Sequence, residues 1–135
     1  MDGNGTLSLV VFSGTDDKLQ ATAVLVAGAA AMGRPVNVFL QYWALDAFRI
    51  DRIRKDHGAA PEAGDEGLAA MQRHGGQHWA DTLAQAKDIG EVAIHACALS
   101  VEMFGITKDD LDPLVDDIRG VAAFMADVDD ALAFI

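Results

Sequence analysis

Two short runs of β-branched and aliphatic residues, Thr6–Phe12 (TLSLVVF) and Val36–Leu40 (VNVFL), flank an alanine-rich stretch whose one proline, Pro35, comes directly before the second run. Ser13-Gly14-Thr15 follows the first run with turn and cap chemistry, and Asp16 and Asp17 lie where a helix presents its positive end. The spacing predicts a helix over Asp16–Met32, with Gly33 placed to cap it and Pro35 to block its continuation. A helix joining two apolar strands is a βαβ unit, which demands a parallel sheet covered on both faces. The expected fold is therefore α/β: a single-domain three-layer α/β/α sandwich with a mainly parallel sheet of about five strands. A chain of 135 residues, 51% hydrophobic with 3 prolines, suits one domain over 1–135 and one core.

Further along, Gln41–Arg54 carries Tyr42, Trp43, Leu45, Phe48, Ile50 and Ile53 at mixed spacing and predicts a short helix. Asp56–Gly67 (DHGAAPEAGDEG) has glycine, proline and charge without an apolar period, and predicts a flexible surface loop over 56–67. Helices are expected over Leu68–Arg73 and Trp79–Lys87, separated by Gly75-Gly76. A strand is expected over Glu91–Ala96, then Cys97, then a helix over Ala98–Phe104 stopped by Gly105. Thr107 with Asp110 marks another helix start that ends before Pro113. A strand over Val115–Ile118, a helix over Gly120–Val128 and a strand over Ala131–Ile135 complete the chain.

The formal charge of −11 creates a field that repels phosphate backbones and anionic lipid, so neither nucleic acid nor a membrane is an expected partner. The longest strongly apolar stretch, Ala21–Gly33, falls short of the roughly 20 residues of a spanning helix. Met1–Gly5 has neither a basic n-region nor an apolar h-region, and a single cysteine allows no internal disulfide. A reducing cytoplasm is the expected compartment.

In parallel α/β sheets ligands gather beyond the carboxyl ends of the strands, and Cys97 falls at such an end. Amides opening the next helix would favour a thiolate there. The competing account is a buried, inert cysteine. His95, two residues earlier, shares one side of the strand with Cys97 if the extended backbone persists, which makes it a candidate base or an ordinary core histidine. Ser13, Gly14 and Thr15 leave the first strand at the same sheet end and could offer amides to sulfur or a small anion, although capping alone also explains them. Tyr42, Trp43 and Phe48 could wall the thiol or an oligomer contact, Trp43 being the ligand-side candidate. His74 and His78 have helical ligand spacing, but Gly75-Gly76 divides them, so no metal site is expected and His57 is read as a loop histidine. No cofactor is implied.

The segment Ala96-Cys97-Ala98-Leu99-Ser100-Val101-Glu102-Met103-Phe104-Gly105-Ile106, followed by Asp109-Asp110-Leu111, resembles the cysteine segment of the DsrE/DsrF-like family, nearest its DsrE2 branch. LSLVVFSGTDDK, the helix end Ala31-Met32-Gly33 and the aromatic stretch through Trp43 and Leu45 resemble the same branch in the same order, so the similarity spans nearly the whole chain. This resemblance implies a homo- or hetero-oligomeric sulfur carrier, sulfurtransferase-like rather than a turnover enzyme, in which Cys97 accepts and passes on persulfide sulfur. Its partners would be sulfur donor and acceptor proteins or low-molecular-weight thiols.

Two departures stand out. Relatives often carry paired glycines where this chain has Arg119-Gly120, and Arg119 is either an anion stabiliser or a surface arginine paired with Asp116 or Asp117. The absence of a second cysteine excludes an intramolecular resolving disulfide. Two other functions remain open: a non-catalytic oligomeric module binding a nucleotide-like small ligand, and a one-cysteine redox protein using an external thiol.

Overall fold

The computed structural model describes residues 5–129 and 131–135. Strands β1 (Leu7–Val11), β2 (Val36–Leu40), β3 (Val92–Cys97), β4 (Asp117–Arg119) and β5 (Leu132–Phe134) form one sheet in the order β4-β3-β2-β1-β5, with every pairing parallel. Helices α1 (Asp16–Ala31), α2 (Tyr42–Ala47), α3 (Gly64–His74), α4 (Trp79–Ile89), α5 (Ala98–Phe104) and α6 (Val121–Ala126) connect or flank the strands. The expected α/β/α sandwich with five strands is what the chain forms.

Handedness explains which face each helix covers. The path from β1 through β2 and β3 to β4 steps always in one direction, so right-handed crossovers keep its helices on one side. The return from β4 to β5, beyond β1, runs the other way and carries α6 to the opposite face. The main core lies on the first side, where Leu9, Val11, Val38, Leu40 and Ile94 pack with Leu19, Ala23 and Val26 of α1 and Trp79 and Leu83 of α4. α1 and α4 approach so closely that a Cβ on Gly90 would sit 2.8 Å from that of Ala30. The second face holds a much smaller cluster: Val10, Phe39, Cys97 and Phe124, with Val128 at its margin.

α1 ends as expected: Gly33 takes a left-handed φ of 74°, and the Gly33 and Arg34 N–H groups bond to the carbonyls of Ala30 and Ala29. The loop expected over 56–67 is shorter than read. Pro61–Ala63 forms a 3-10 turn and α3 begins at Gly64, four residues before the expected start, with Asp65 and Glu66 in its first turn where the helix dipole favours acids. The remaining 56–60 segment is tied to α1 by His57 N–H to Asp16 (2.9 Å), Asp16 N–H to the Gly58 carbonyl (2.8 Å) and Ala60 N–H to Asp17 (3.1 Å). The fourth strand is also displaced: Val115 is buried in the core and pairing starts only at Asp117. Among the described residues no helix is long and apolar enough to cross a membrane.

Candidate functional site

Cys97 is the last residue of β3 and the N-cap residue of α5. Alternation along β3 turns His95 and Cys97 to the second face, while Ile94 and Ala96 enter the main core. The thiol side chain is 4% exposed and packs with Val10, Phe39 and Phe124. Phe124 lies flat on Phe39, with ring centroids 4.5 Å apart and an 11° interplanar angle. Cys97 thus sits under α6, which presents one fully buried side chain, Phe124, to the sheet.

His95 shares this face as expected, yet its hydrogen bonds run sideways across the sheet. Nδ1 is 2.6 Å from Asp117 Oδ1 on β4, and Nε2 is 3.1 Å from Asn37 Oδ1 on β2. With both nitrogens facing oxygens, His95 ties three strands together beside the cysteine. Arg119 stands directly opposite Cys97 in the β3–β4 register, but its guanidinium reaches Asp127 (2.8 Å) and Asp117 (3.6 Å). Asp116 is otherwise engaged, taking Lys87 (2.6 Å) and the Ile94 N–H (2.8 Å).

The carboxyl end of the sheet is closed by tight backbone contacts. A Cβ on Gly14 would lie 2.3 Å from the Trp43 carbonyl oxygen, so only glycine lets the first loop pass the start of α2. Tyr42 has a left-handed φ of 44°, unusual for a bulky residue, and its N–H donates to the buried Ser100 hydroxyl at 2.9 Å, one turn beyond Cys97. The Ser13 N–H donates to the Ile135 carbonyl (3.2 Å), as does that of Phe12 (2.7 Å), so the crevice at the β1–β5 switch point is filled by chain. Thr15 is the N-cap residue of α1 without a side-chain cap bond. Trp43 is 54% exposed and leans on Phe104, whereas Phe48 is buried against Trp79.

Outside this region, His78 has a structural role. His78 starts α4, its Nδ1 accepting the Ala80 N–H at 3.0 Å, and His74 closes α3, with Gly75 and Gly76 at φ of 65° and 84° between them. Burial pushes His78 below the ordinary histidine value, and the Arg54 charge adds to this against the pull of Asp16 and Asp81. Burial pushes the Asp17 carboxyl up, but hydrogen bonds from the Ala60 and Lys18 N–H groups outweigh it and leave the group below 3.8. Among the described residues no three His, Cys, Asp or Glu side chains converge on a metal position.

Fold and site define a parallel α/β domain whose sole cysteine ends a central strand beneath a short helix. The model of the DsrE/DsrF/DrsH-like family matches residues 3–64 and 65–133, and the chain belongs to this family. It is 28% identical to the uncharacterised protein YrkE of Bacillus subtilis strain 168, over 91% of each chain. Its fold is similar to that of MTH1491, a protein of unknown function from Methanobacterium thermoautotrophicum, with a TM-score of 0.56 and 14% identity over 90% of this chain and 88% of that one.

Nothing in the sequence alone singles out Asn37, Ser100 or Phe124 as part of this site. Alternation in VNVFL places Asn37 beside Phe39 on one face, but which strand lies next to it depends on sheet order. Ser100 reads as an ordinary helix residue until α2 is known to abut α5.

Proposed function

We propose that the protein is a sulfur carrier that holds sulfane sulfur as a persulfide on Cys97. One observation carries this: the only cysteine of the chain lies at the carboxyl end of a central strand, on the sheet face that a single six-residue helix covers. Family membership supports the same chemistry. In loading, the Cys97 thiolate attacks the outer sulfur of a donor persulfide. A Cys97 S–S bond forms, the donor S–S bond breaks, and the donor leaves as a thiolate. In unloading, an acceptor thiolate attacks the outer sulfur on Cys97, which returns as thiolate. No second cysteine in the chain is required.

His95, which links β3 to its neighbours β2 and β4, and Arg119, which links β4 to the end of α6, act as positioning residues around the sulfur rather than exchanging a proton with it. Donors and acceptors are proteins or small thiols, and a homo-oligomer is part of the proposal, with exposed Trp43, Leu99 and Met103 offering apolar contact surface. Intact-mass measurement after treatment with inorganic polysulfide should show one added sulfur per chain, removed by excess dithiothreitol and absent from Cys97→Ser. No added sulfur, or sulfur retained by Cys97→Ser, would overturn the proposal.

A further inference from the structure

The ionic hold on α6, the helix that covers Cys97, leads back into the sheet. Asp127, which caps the end of α6, takes Arg119 Nη1 at 2.8 Å, and Nη2 of the same guanidinium lies 3.6 Å from Asp117 Oδ2. The other oxygen of Asp117 is 2.6 Å from Nδ1 of buried His95, whose Nε2 is 3.1 Å from Asn37 Oδ1. Asn37, His95, Asp117, Arg119 and Asp127 therefore form a continuous polar chain from β2 to the end of the helix. His95 also lies beside the side chain that docks α6, its ring centroid 6.5 Å from that of Phe124 at an interplanar angle of 62°.

His95 can change charge in place. Two facing oxygens satisfy a ring protonated at both nitrogens, and Asn37 turned over offers its amide N–H to a bare Nε2, so neither state leaves a buried ring nitrogen unpaired. The groups around the ring are Asn37 from β2, Asp117 from β4 and Phe124 from α6, with Cys97 next on the same face of β3 and Asp116 turned away to Lys87. With His95 neutral, Asp117 and Asp127 share the single charge of Arg119. With His95 charged, two cations face two carboxylates, and Asp117 releases Arg119 to Asp127. This matters at the carboxyl end of a helix, where the dipole disfavours a carboxylate and VAAFMA has no basic residue to offset it.

We propose that protonation of His95 tightens α6 over Cys97, so that acid closes the sulfur site and rising pH loosens it. The closing contact is the Arg119–Asp127 pair, which His95 reaches through Asp117. The consequence for sulfur exchange rests on the persulfide reading of Cys97, whereas the coupling is a property of α6 and stands or falls without it.

Amide hydrogen exchange, corrected for the intrinsic chemical rate at each pH, measures the opening of α6 without involving the thiol. The Phe124, Asp127 and Val128 amides, bonded to the Gly120, Phe124 and Met125 carbonyls, report it, and those of α1 report the rest of the fold. From about pH 8 to about pH 5, the interval in which histidine changes charge, protection of the three α6 amides should rise about two- to fivefold, the reach of an exposed ion pair. His95→Gln, which bonds without titrating, should flatten the profile. Asp127→Asn, a surface change, should flatten it as well and lower protection at the acid end. Protection that is level in the parent, falls towards acid, rises equally in His95→Gln, or rises by the same factor in α1 would overturn the coupling. A rise that survives in Asp127→Asn would mean that His95 acts on α6 without Arg119, against the proposal. A level parent profile together with polysulfide loading of Cys97 would remove the pH device and leave the carrier reading intact.

Discussion

Protonating His78 takes away the acceptor with which α4 begins, because the same Nδ1 that receives the Ala80 N–H would then carry a hydrogen. Its native pKa lies below 6.5 while an unfolded histidine keeps the ordinary value, so the unfolded chain binds more protons through that window. Stability from this residue is therefore complete above about pH 6.5 and falls as pH drops through and below it. The expected loss is about 1 kcal/mol, the typical worth of an N-cap. Asp17 works in a lower window, its contribution being present above 3.8 and lost as pH falls through its depressed native value. Urea midpoints measured from about pH 8 to about pH 5 should decline in the parent and flatten in His78→Asn, which keeps an acceptor without titrating. Parallel profiles for the two proteins would dismiss the cap as the cause. At this scale the sequence was partly informative: His95 and Cys97 on one face followed from alternation alone. Asp117 and Asn37 as the partners of His95 did not, since they come from neighbouring strands whose order no local pattern records.

Most elements were legible because their ends are marked by chemistry. Gly33 and Gly105 stop α1 and α5 for stated backbone reasons, the Thr107–Asp110 capping box starts only the 3-10 turn Lys108–Asp110, and α5 has the expected bounds Ala98–Phe104. The start of α3 is poorly marked in the sequence, because Gly64 and Gly67 depress helix propensity and its apolar residues are sparse. The sequence marks α6 as a helix, but nothing in VAAFMA indicates that it covers the cysteine. That covering is weak. Burying Phe124 and stacking it on Phe39 is worth roughly 2–4 kcal/mol. The Arg119–Asp127 pair at the helix end is solvent-exposed and adds less. An undocked form would then be populated at about one molecule in thirty to one in a thousand, enough to admit a donor to Cys97. Phe124→Ala should raise the iodoacetamide alkylation rate of native Cys97 at least tenfold, with a stability loss of about 3 kcal/mol. Asp127→Asn, which leaves the core intact, should raise it up to about fivefold with the melting temperature nearly unchanged. If neither substitution moves the rate, access to the sulfur does not pass through α6.

For the whole molecule, β5 takes its place beside β1 after a crossover that no periodicity announces, and that reversal puts a thin cover over one face and a thick one over the other. The parallel sheet itself was legible from the first βαβ unit. The accessible side of the sheet is thus a property of topology, whereas the field around it is a property of composition. A formal charge of −11 surrounds Cys97, and the nearest cation, Arg119, is neutralised by Asp117 and Asp127. Anionic sulfur compounds should therefore approach slowly at low ionic strength. Salt at about 0.15 M shortens the screening length to about 8 Å and should relieve the repulsion. The rate of Cys97 with the dianionic disulfide dithiobis(nitrobenzoate) should accordingly rise several-fold as salt is increased from about 0.01 M to that level. The rate with neutral iodoacetamide should stay level, which separates the field from any salt effect on α6. A salt-independent rate with the dianion would mean that distant acids do not govern approach to this sulfur. The expected rise would instead favour neutral or basic partners as the faster donors, since a basic protein surface gains from the same field that delays a free polysulfide anion.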